Sequence, residues 1–281
     1  MRLHRLCFLI LPLLTLPAFA DSVLGTADSF AVLGASAVTN TGNTTIIGDL
    51  GVSPGYSYTG AGTVTQTGSV YISDGVAALA QANATTAYNT LAAQVVTENL
   101  TGQDLGGMTL TPGVYKFNSS AQLTGTLTLD ALGNNNATWV FLIGSTLTTA
   151  TDANVVFTDL GSTPDDGLYW QVGSSATLGT GTAFEGNILA YANVGMNTGA
   201  TDDCGRALAL TGSVTMDMNT VSTGCSGLAP GTDVTLAGSS GLDGGLGGSE
   251  ETPPVPEPGS MALLGSGLIA LARFVRRRRY S

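Results

Sequence analysis

Between Asp21 and about Leu228 the chain alternates apolar and small polar residues in runs of a few positions, punctuated by Gly, Asn and Asp. A period of two predicts short strands, each with one buried face, and the frequent turn residues predict many of them. One segment breaks the pattern. Asp74 is a good N-cap, and Val76, Leu79, Ala80, Ala84, Ala87, Tyr88, Leu91 and Val95 follow at helical spacing, which predicts a helix over about 74–98. A helix of that length spans roughly 36 Å. Its polar face carries Gln, Asn and Thr in place of charges, so it is expected to lie along an elongated β structure and bury its Ala/Leu stripe there.

The alternating region also repeats. A shift of 31 residues superposes Trp139 on Trp170, Leu147 on Leu178, Thr149 on Thr180 and Thr151 on Thr182, with residues 159–167 reading as an inserted loop. Later units are shorter: Gly186 and Gly205 are 19 apart, and Val194 and Val214 are 20 apart. Units of about 20 residues, each a few short strands with Gly or Asn corners, suit a β-solenoid, in which every coil buries its inward residues by stacking on the next. A β-sandwich shares the short strands but gives no reason for the period.

The two ends read differently. Residues 1–20 combine Arg2 and Arg5, an apolar run from Leu6 to Leu16 and Ala18-Phe19-Ala20, the pattern of a secretory signal peptide. Residues 229–254, rich in Gly, Ser, Pro and acid, read as a flexible linker. Beyond it stand Pro256-Glu257-Pro258, a predominantly apolar stretch of 17 residues from Gly259 to Val275, and Arg276 to Arg279. Seventeen residues is the lower limit for a transmembrane helix, and the arginines mark its cytoplasmic side.

Removing both ends changes the charge. All 20 acidic residues lie from Asp21 to Glu257, where only Lys116 and Arg206 are basic, so the exported part is formally −18. Nucleic acid is excluded as a partner, because it requires a positive patch. The one histidine, His4, and Cys7 leave with the signal peptide. Cys204 and Cys225 remain, an even pair in an oxidising compartment, which reads as a disulfide contributing roughly 3 kcal/mol, with two buried free thiols as the alternative. Acid–base catalysis has little to work with, since the exported chain has no His and one Lys. The pairs Asp165-Asp166 and Asp202-Asp203 are expected in exposed loops, and no spacing resembles a calcium loop. No catalytic residue, metal or cofactor is assigned, and the protein is expected not to be an enzyme.

One phrase recurs, Thr-Gly/Ala-x-(polar or small), at Thr41–Thr44, Thr149–Asp152, Thr180–Ala183 and Thr198–Thr201. In a solenoid, neighbouring strands stand about 4.8 Å apart and residues i and i+2 about 6.7 Å apart, so stacked Thr, Ser, Ala and Gly would form a grid. Thr is stiff at χ1, and its hydroxyl and methyl are held in place at little entropic cost. Thr also favours any strand, so the grid alone does not name a ligand.

A resemblance does. The segments 24–33, 48–55, 110–115, 139–141, 170–172, 184–190 and 205–209 look like the bacterial and fungal ice-binding protein family, over nearly all of 24–225. The tail, with Pro256, Glu257 and Pro258 ahead of an apolar segment and an arginine cluster, resembles the PEP-CTERM sorting signal of Gram-negative bacteria. The first resemblance implies an all-β, right-handed, discontinuous β-solenoid with one long helix packed alongside, and a flat face that adsorbs to ice. It places Thr41, Thr44, Thr149, Thr151, Thr180, Thr182, Thr198 and Thr201 on that face, with Met216, Asp217 and Met218 limiting its extent. The second implies processing by an exosortase-type membrane protease and secretion or display at the cell surface, transiently anchored by the C-terminal helix. The protein is expected to be a monomer. The rival reading is an adhesin or matrix protein contacting exopolysaccharide, which would need Trp139, Trp170, Tyr169 or Tyr191 exposed as sugar platforms.

Overall fold

Each short alternating run presents one set of side chains inward and the next outward, so a strand can bury its inner row only against a neighbouring coil. In the computed structural model, which describes residues 22–162 and 166–225, the strands pair in parallel throughout. Among the described residues they form a 15-stranded and a 7-stranded sheet. The larger sheet follows two sides of the coil. Its strands Ala183–Ala190 and Thr201–Ala209 run through both sides, with a register shift between Glu185 and Asn187 where they bend. The coil therefore has three faces: one under the helix, one open face built by the 7-stranded sheet, and a third completing the cross-section.

The stacking order departs from chain order. Phe30–Gly34 pairs with Thr201–Ala209 on one side and Asp49–Val52 on the other. Ala37–Thr41 likewise pairs with Ser213–Asp217, and Thr44–Ile47 with Thr220–Ser222. The last described coil thus stacks on the first, and the solenoid is discontinuous. The helix Gly75–Ala92 makes this possible, carrying the chain from Val70–Ile72 at one end back to Glu98–Asn99 at the other. Arg206 locks the joint. It is fully buried, with Nε 2.7 Å from Asp28 O, Nη1 2.7 Å from Asn187 Oδ1 and Nη2 2.5 Å from Asp28 Oδ1. The disulfide Cys204–Cys225 closes the last described coil.

The helix is shorter than its apolar spacing predicts. It ends at Ala92 because Val95-Val96-Thr97 is β-branched, and Thr97 N already donates to Val114 O at 2.8 Å. Its buried stripe is rotated as well. Ala77, Ala80, Gln81, Ala84, Ala87 and Leu91 face the sheet, whereas Val76, Leu79 and Val95 are exposed and Tyr88 is half-buried. Small Ala side chains let the helix approach Phe30, Leu33, Val140, Leu142, Tyr169, Leu189 and Leu208, which the sheet presents outward on this side. Gln81 belongs to the stripe because its Nε2 donates to the carbonyls of Ala209 and Leu210 at 2.9 and 3.0 Å.

The 31-residue superposition is two residues off. Phe141 pairs with Trp170, and Thr148 with Thr177, a register of 29. A slip of two keeps every side chain on its face, so the alternation alone accepts either register. Stacking inside the coil selects 29, since the rings of Phe141 and Trp170 lie 4.0 Å apart and nearly parallel. The spacing of 20 from Val194 to Val214 is a true pairing.

The expected signal peptide (1–20) and linker (229–254), the sorting motif Pro256-Glu257-Pro258 and the apolar stretch 259–275 lie outside the described residues, as does Asp165. Among the described residues no helix is long and apolar enough to cross a membrane.

Candidate functional site: the open seven-stranded face

Six of the seven strands of the open face share a triplet pattern: a buried residue, an outward one, a buried one. The triplets include Ala121-Gln122-Leu123, Leu147-Thr148-Thr149, Ala176-Thr177-Leu178, Val194-Gly195-Met196 and Val214-Thr215-Met216. Pairing puts the middle residues in one row across the sheet: Gln122, Thr148, Thr177, Gly195, Thr215, Thr39 and Thr59. Two residues earlier on each coil lies a parallel row of Ser120, Thr146, Ser175, Asn193, Ser213, Ala37 and Ser57. Its members are cross-linked, for example Thr146 Oγ1 to Ser120 Oγ at 2.9 Å and Ser213 Oγ to Asn193 Oδ1 at 3.2 Å. Across the seven strands neither row carries a charge; beyond Gln122 the central row meets Asp104 through an isolated bridge.

A third row borders the face at its corner. The recurring Thr-Gly/Ala-x phrase is this corner, in which the residue after Thr adopts a left-handed conformation: Gly42 at φ 71°, Gly181 at 67° and Gly199 at 71°. Backbone hydrogen bonds stack the corners, Met218 N to Thr41 O, Gly199 N to Asp217 O, Gly181 N to Thr198 O and Asp152 N to Thr180 O, each 2.9–3.1 Å. Thr151, Thr180, Thr198, Asp217 and Thr41 therefore follow one another down the coils. The corner and central rows enclose a shallow trough lined by Thr39, Thr41, Thr180, Asn197, Thr198, Thr215 and Asp217, with Met196 and Met216 beneath.

Of the eight threonines expected on one face, Thr41, Thr151, Thr180 and Thr198 share this exposed corner row. Thr44, Thr149 and Thr182 do not belong to it, being buried inside the coil. There Thr149 Oγ1 and Thr182 Oγ1 lie 2.7 Å apart, Thr149 Oγ1 accepts from Gly179 N, and Thr44 Oγ1 donates to Asn40 Oδ1 at 2.6 Å. The phrase Thr149–Asp152 matched in the wrong register: the left-handed corner is Asp152 at φ 56°, so Thr151 is the equivalent of Thr180. Thr201 stands on the third face, paired with Ala183 and Thr220. Met216 points inward and is buried, so it does not interrupt the face, whereas Asp217 and the exposed Met218 do sit at the corner.

The central row Thr39, Thr59, Thr148, Thr177 and Thr215 escaped the sequence reading. Its signal was the apolar–Thr–apolar triplet, which is shorter and less conspicuous than the Gly-containing corner.

The third face differs in charge. Its row Thr126, Asn154, Ala183, Thr201, Thr220, Thr45 and Thr65 is also hydroxyl-rich. Two residues along the same strands, however, stand Thr128, Val156, Glu185, Asp203 and Ile47. Burial, reinforced by Asp203 and Asp202, pushes the Glu185 carboxyl up to about 9. Asp202 points into the coil and is fully buried, and burial followed by the nearby Asp203 raises it well above the usual carboxylate range, although Arg206 opposes the rise. Asp166 is also buried, its Oδ1 accepting from Ala137 N at 2.7 Å. Asp166 and Asp202 therefore correct the expectation that both acidic pairs lie in exposed loops: Asp202 points inward from its strand, and Asp166, just ahead of the strand Gly167–Val172, is buried against Ala137 N.

The family model described as ice-binding-like matches residues 32–222, most of the chain. The chain belongs to the ice-binding-like family. An ice-binding protein of Nostoc sp. (strain HG1) is 49% identical over 262 residues, covering 93% of this chain and 89% of that protein. One from Leucosporidium sp. (strain AY30) is 35% identical over 209 residues, covering 67% and 78%. The crystal structure of an ice binding protein from an Antarctic biological consortium superposes with a TM-score of 0.67 at 43% identity, covering 76% of this chain and 95% of that one. The discontinuous coil with its flanking helix is thus the fold of ice-binding-like proteins. The PEP-CTERM protein-sorting motif matches residues 254–279.

Proposed function

We propose that this ice-binding-like protein adsorbs to ice through the open seven-stranded face. One observation carries the reading: the central and inner rows of that face hold Thr, Ser, Ala, Gly, Asn and Gln with no charge, on a chain whose exported part is formally −18. Charged groups hold tightly organised hydration shells, whereas a grid about 4.8 by 6.7 Å of fixed hydroxyls and methyls presents repeats comparable to those of hexagonal ice. Adsorption of that kind retards growth and recrystallisation of ice and requires no acid–base group. The reading assigns Thr39, Thr59, Thr148, Thr177 and Thr215 to the central row, with Thr41, Thr151, Thr180 and Thr198 at the corner.

The glycan-adhesin alternative draws less support. Trp139, Trp170 and Tyr169 are fully buried. Tyr191 is exposed but packs 6.2 Å from Tyr88 beside the helix, away from the open face. The signal peptide and the sorting motif support export, processing by an exosortase-type protease and display or release at the surface of a Gram-negative cell, with transient anchoring through 259–275.

The test is ice-affinity partitioning and thermal hysteresis on the protein exported from cells expressing the full chain. Incorporation into a growing ice hemisphere is expected, and exclusion from it would end the proposal. A folded Thr177→Tyr, Thr215→Tyr variant that kept full activity would relocate the site.

A further inference from the structure

The corner row of the open face has one member unlike the rest. Thr41, Thr198, Thr180 and Thr151 present hydroxyls, and between Thr41 and Thr198 stands the carboxylate of Asp217. Asp217 remains partly exposed, and within the seven strands of this face it is the one acidic side chain in the three rows, Asp104 standing beyond their end beside Gln122. Thr198 Oγ1 donates to Asp217 Oδ2, so the hydroxyl hydrogen of Thr198 is directed along the row and is withdrawn from the surface. An ionised carboxylate only accepts hydrogen bonds, and charge makes them short and strong. Each water beside it must turn a hydrogen inward, while a water in an ice-like layer both donates and accepts. Two consecutive members of the row are therefore mismatched to the lattice that the other threonines fit.

We infer that Asp217 is the residue that sets the strength of ice adsorption, by interrupting the corner row and holding the Thr198 hydroxyl out of it. This rests on the ice-binding reading of the open face. The position tolerates a hydroxyl: its strand partner is Thr41, and the backbone ladder through Asp217 O and Met218 N does not involve the side chain. Asp217→Thr completes the row and frees Thr198. Asp217→Asn keeps the size and the acceptor for Thr198 but removes the charge.

The measurement is thermal hysteresis and the half-maximal concentration for recrystallisation inhibition, on exported wild type, Asp217→Thr and Asp217→Asn. Circular dichroism confirms that each is folded. Asp217→Thr is expected to lower the half-maximal concentration about fivefold, the factor matching an excess of roughly 1 kcal/mol for one charge-assisted hydrogen bond. Asp217→Asn is expected to fall between the two. Unchanged or weaker activity in Asp217→Thr overturns the inference, because it would mean that the carboxylate supports Thr198 or is neutral. Should Asp217→Thr fail to fold, the isosteric Asp217→Asn decides alone: a gain supports the inference and no gain overturns it. If wild type enters ice and no variant gains, only this inference fails; if wild type and both variants are excluded, the ice-binding reading fails with it.

Discussion

The open face and the third face are made by the same coils, and both carry a continuous row rich in threonine. They differ in the row beside it. On the open face the neighbours are Ser120, Thr146, Ser175, Asn193, Ser213, Ala37 and Ser57; on the third face they include Val156, Glu185, Asp203 and Ile47. A hydroxyl row is therefore what a parallel solenoid builds readily from β-favouring residues. Two adjacent uncharged rows in register are what distinguish a face suited to a flat, repetitive ligand.

The comparison breaks most directly by bulk. Thr177→Tyr with Thr215→Tyr, at the centre of the open face, is expected to reduce ice activity about thirtyfold or more, as central interface positions do. Thermal hysteresis at equal concentration reads the loss, and a chevron or melt confirms the fold. The same bulk on the third face, Thr45→Tyr with Thr201→Tyr, is expected to leave activity within about twofold, the modest effect of a position outside an interface. An equal loss from the two pairs would merge the faces into one site.

Next in size is the joint that aligns both faces. Arg206→Met removes the ion pair to Asp28 and the hydrogen bond to Asn187 Oδ1, and is expected to cost roughly 3 kcal/mol of stability. Urea denaturation measures it. Replacing Cys204 and Cys225 together by Ser removes the link that closes the last described coil and is expected to cost about 3 kcal/mol.

The buried acids on and beneath the third face make stability depend on pH. Glu185 titrates near 9 in the folded protein, and Asp202 is raised too, so between their ordinary unfolded values and about 9 the folded state holds more protons than the unfolded one. Stability must then fall as pH rises across that window. Melting temperature is expected to be higher at pH 5 than at pH 8.5, with Glu185→Gln flattening the difference while leaving ice activity unchanged.

The smallest expected effect sharpens the central row. Gly195 is its gap, and a Cβ there would meet Thr215 Oγ1 at 3.5 Å and little else. Gly195→Thr is expected to raise ice activity by about twofold, a fraction of one contact's contribution.

Much of this architecture is legible in the chain. Period-two alternation fixes short strands, the 20-residue spacing of Val194 and Val214 is a real coil, and the Thr-Gly phrase marks a corner because only a left-handed residue turns the chain there. The limits of legibility are physical. Alternation has a period of two, so within a strand it cannot separate a register of 29 from one of 31; at the corner, where alternation breaks, the slip of two set the buried Thr149 and Thr182 against the exposed Thr180 and Thr151. Nor does helical spacing reveal which stripe is buried when the facing sheet is itself bulky: Ala77 and Gln81 replaced Val76 and Leu79 because the sheet already supplied Phe30, Tyr169 and Leu208.

By itself the sequence determined the strand pattern, the helix, the paired cysteines and a hydroxyl-rich, charge-poor surface. Only the tertiary structure decided that the last described coil stacks on the first, that Arg206 binds Asp28 across that joint, and which threonines stand side by side. Those outcomes depend on pairings between residues far apart in the chain, which local periodicity leaves open and which ring stacking, buried polar partners and close Ala packing resolve.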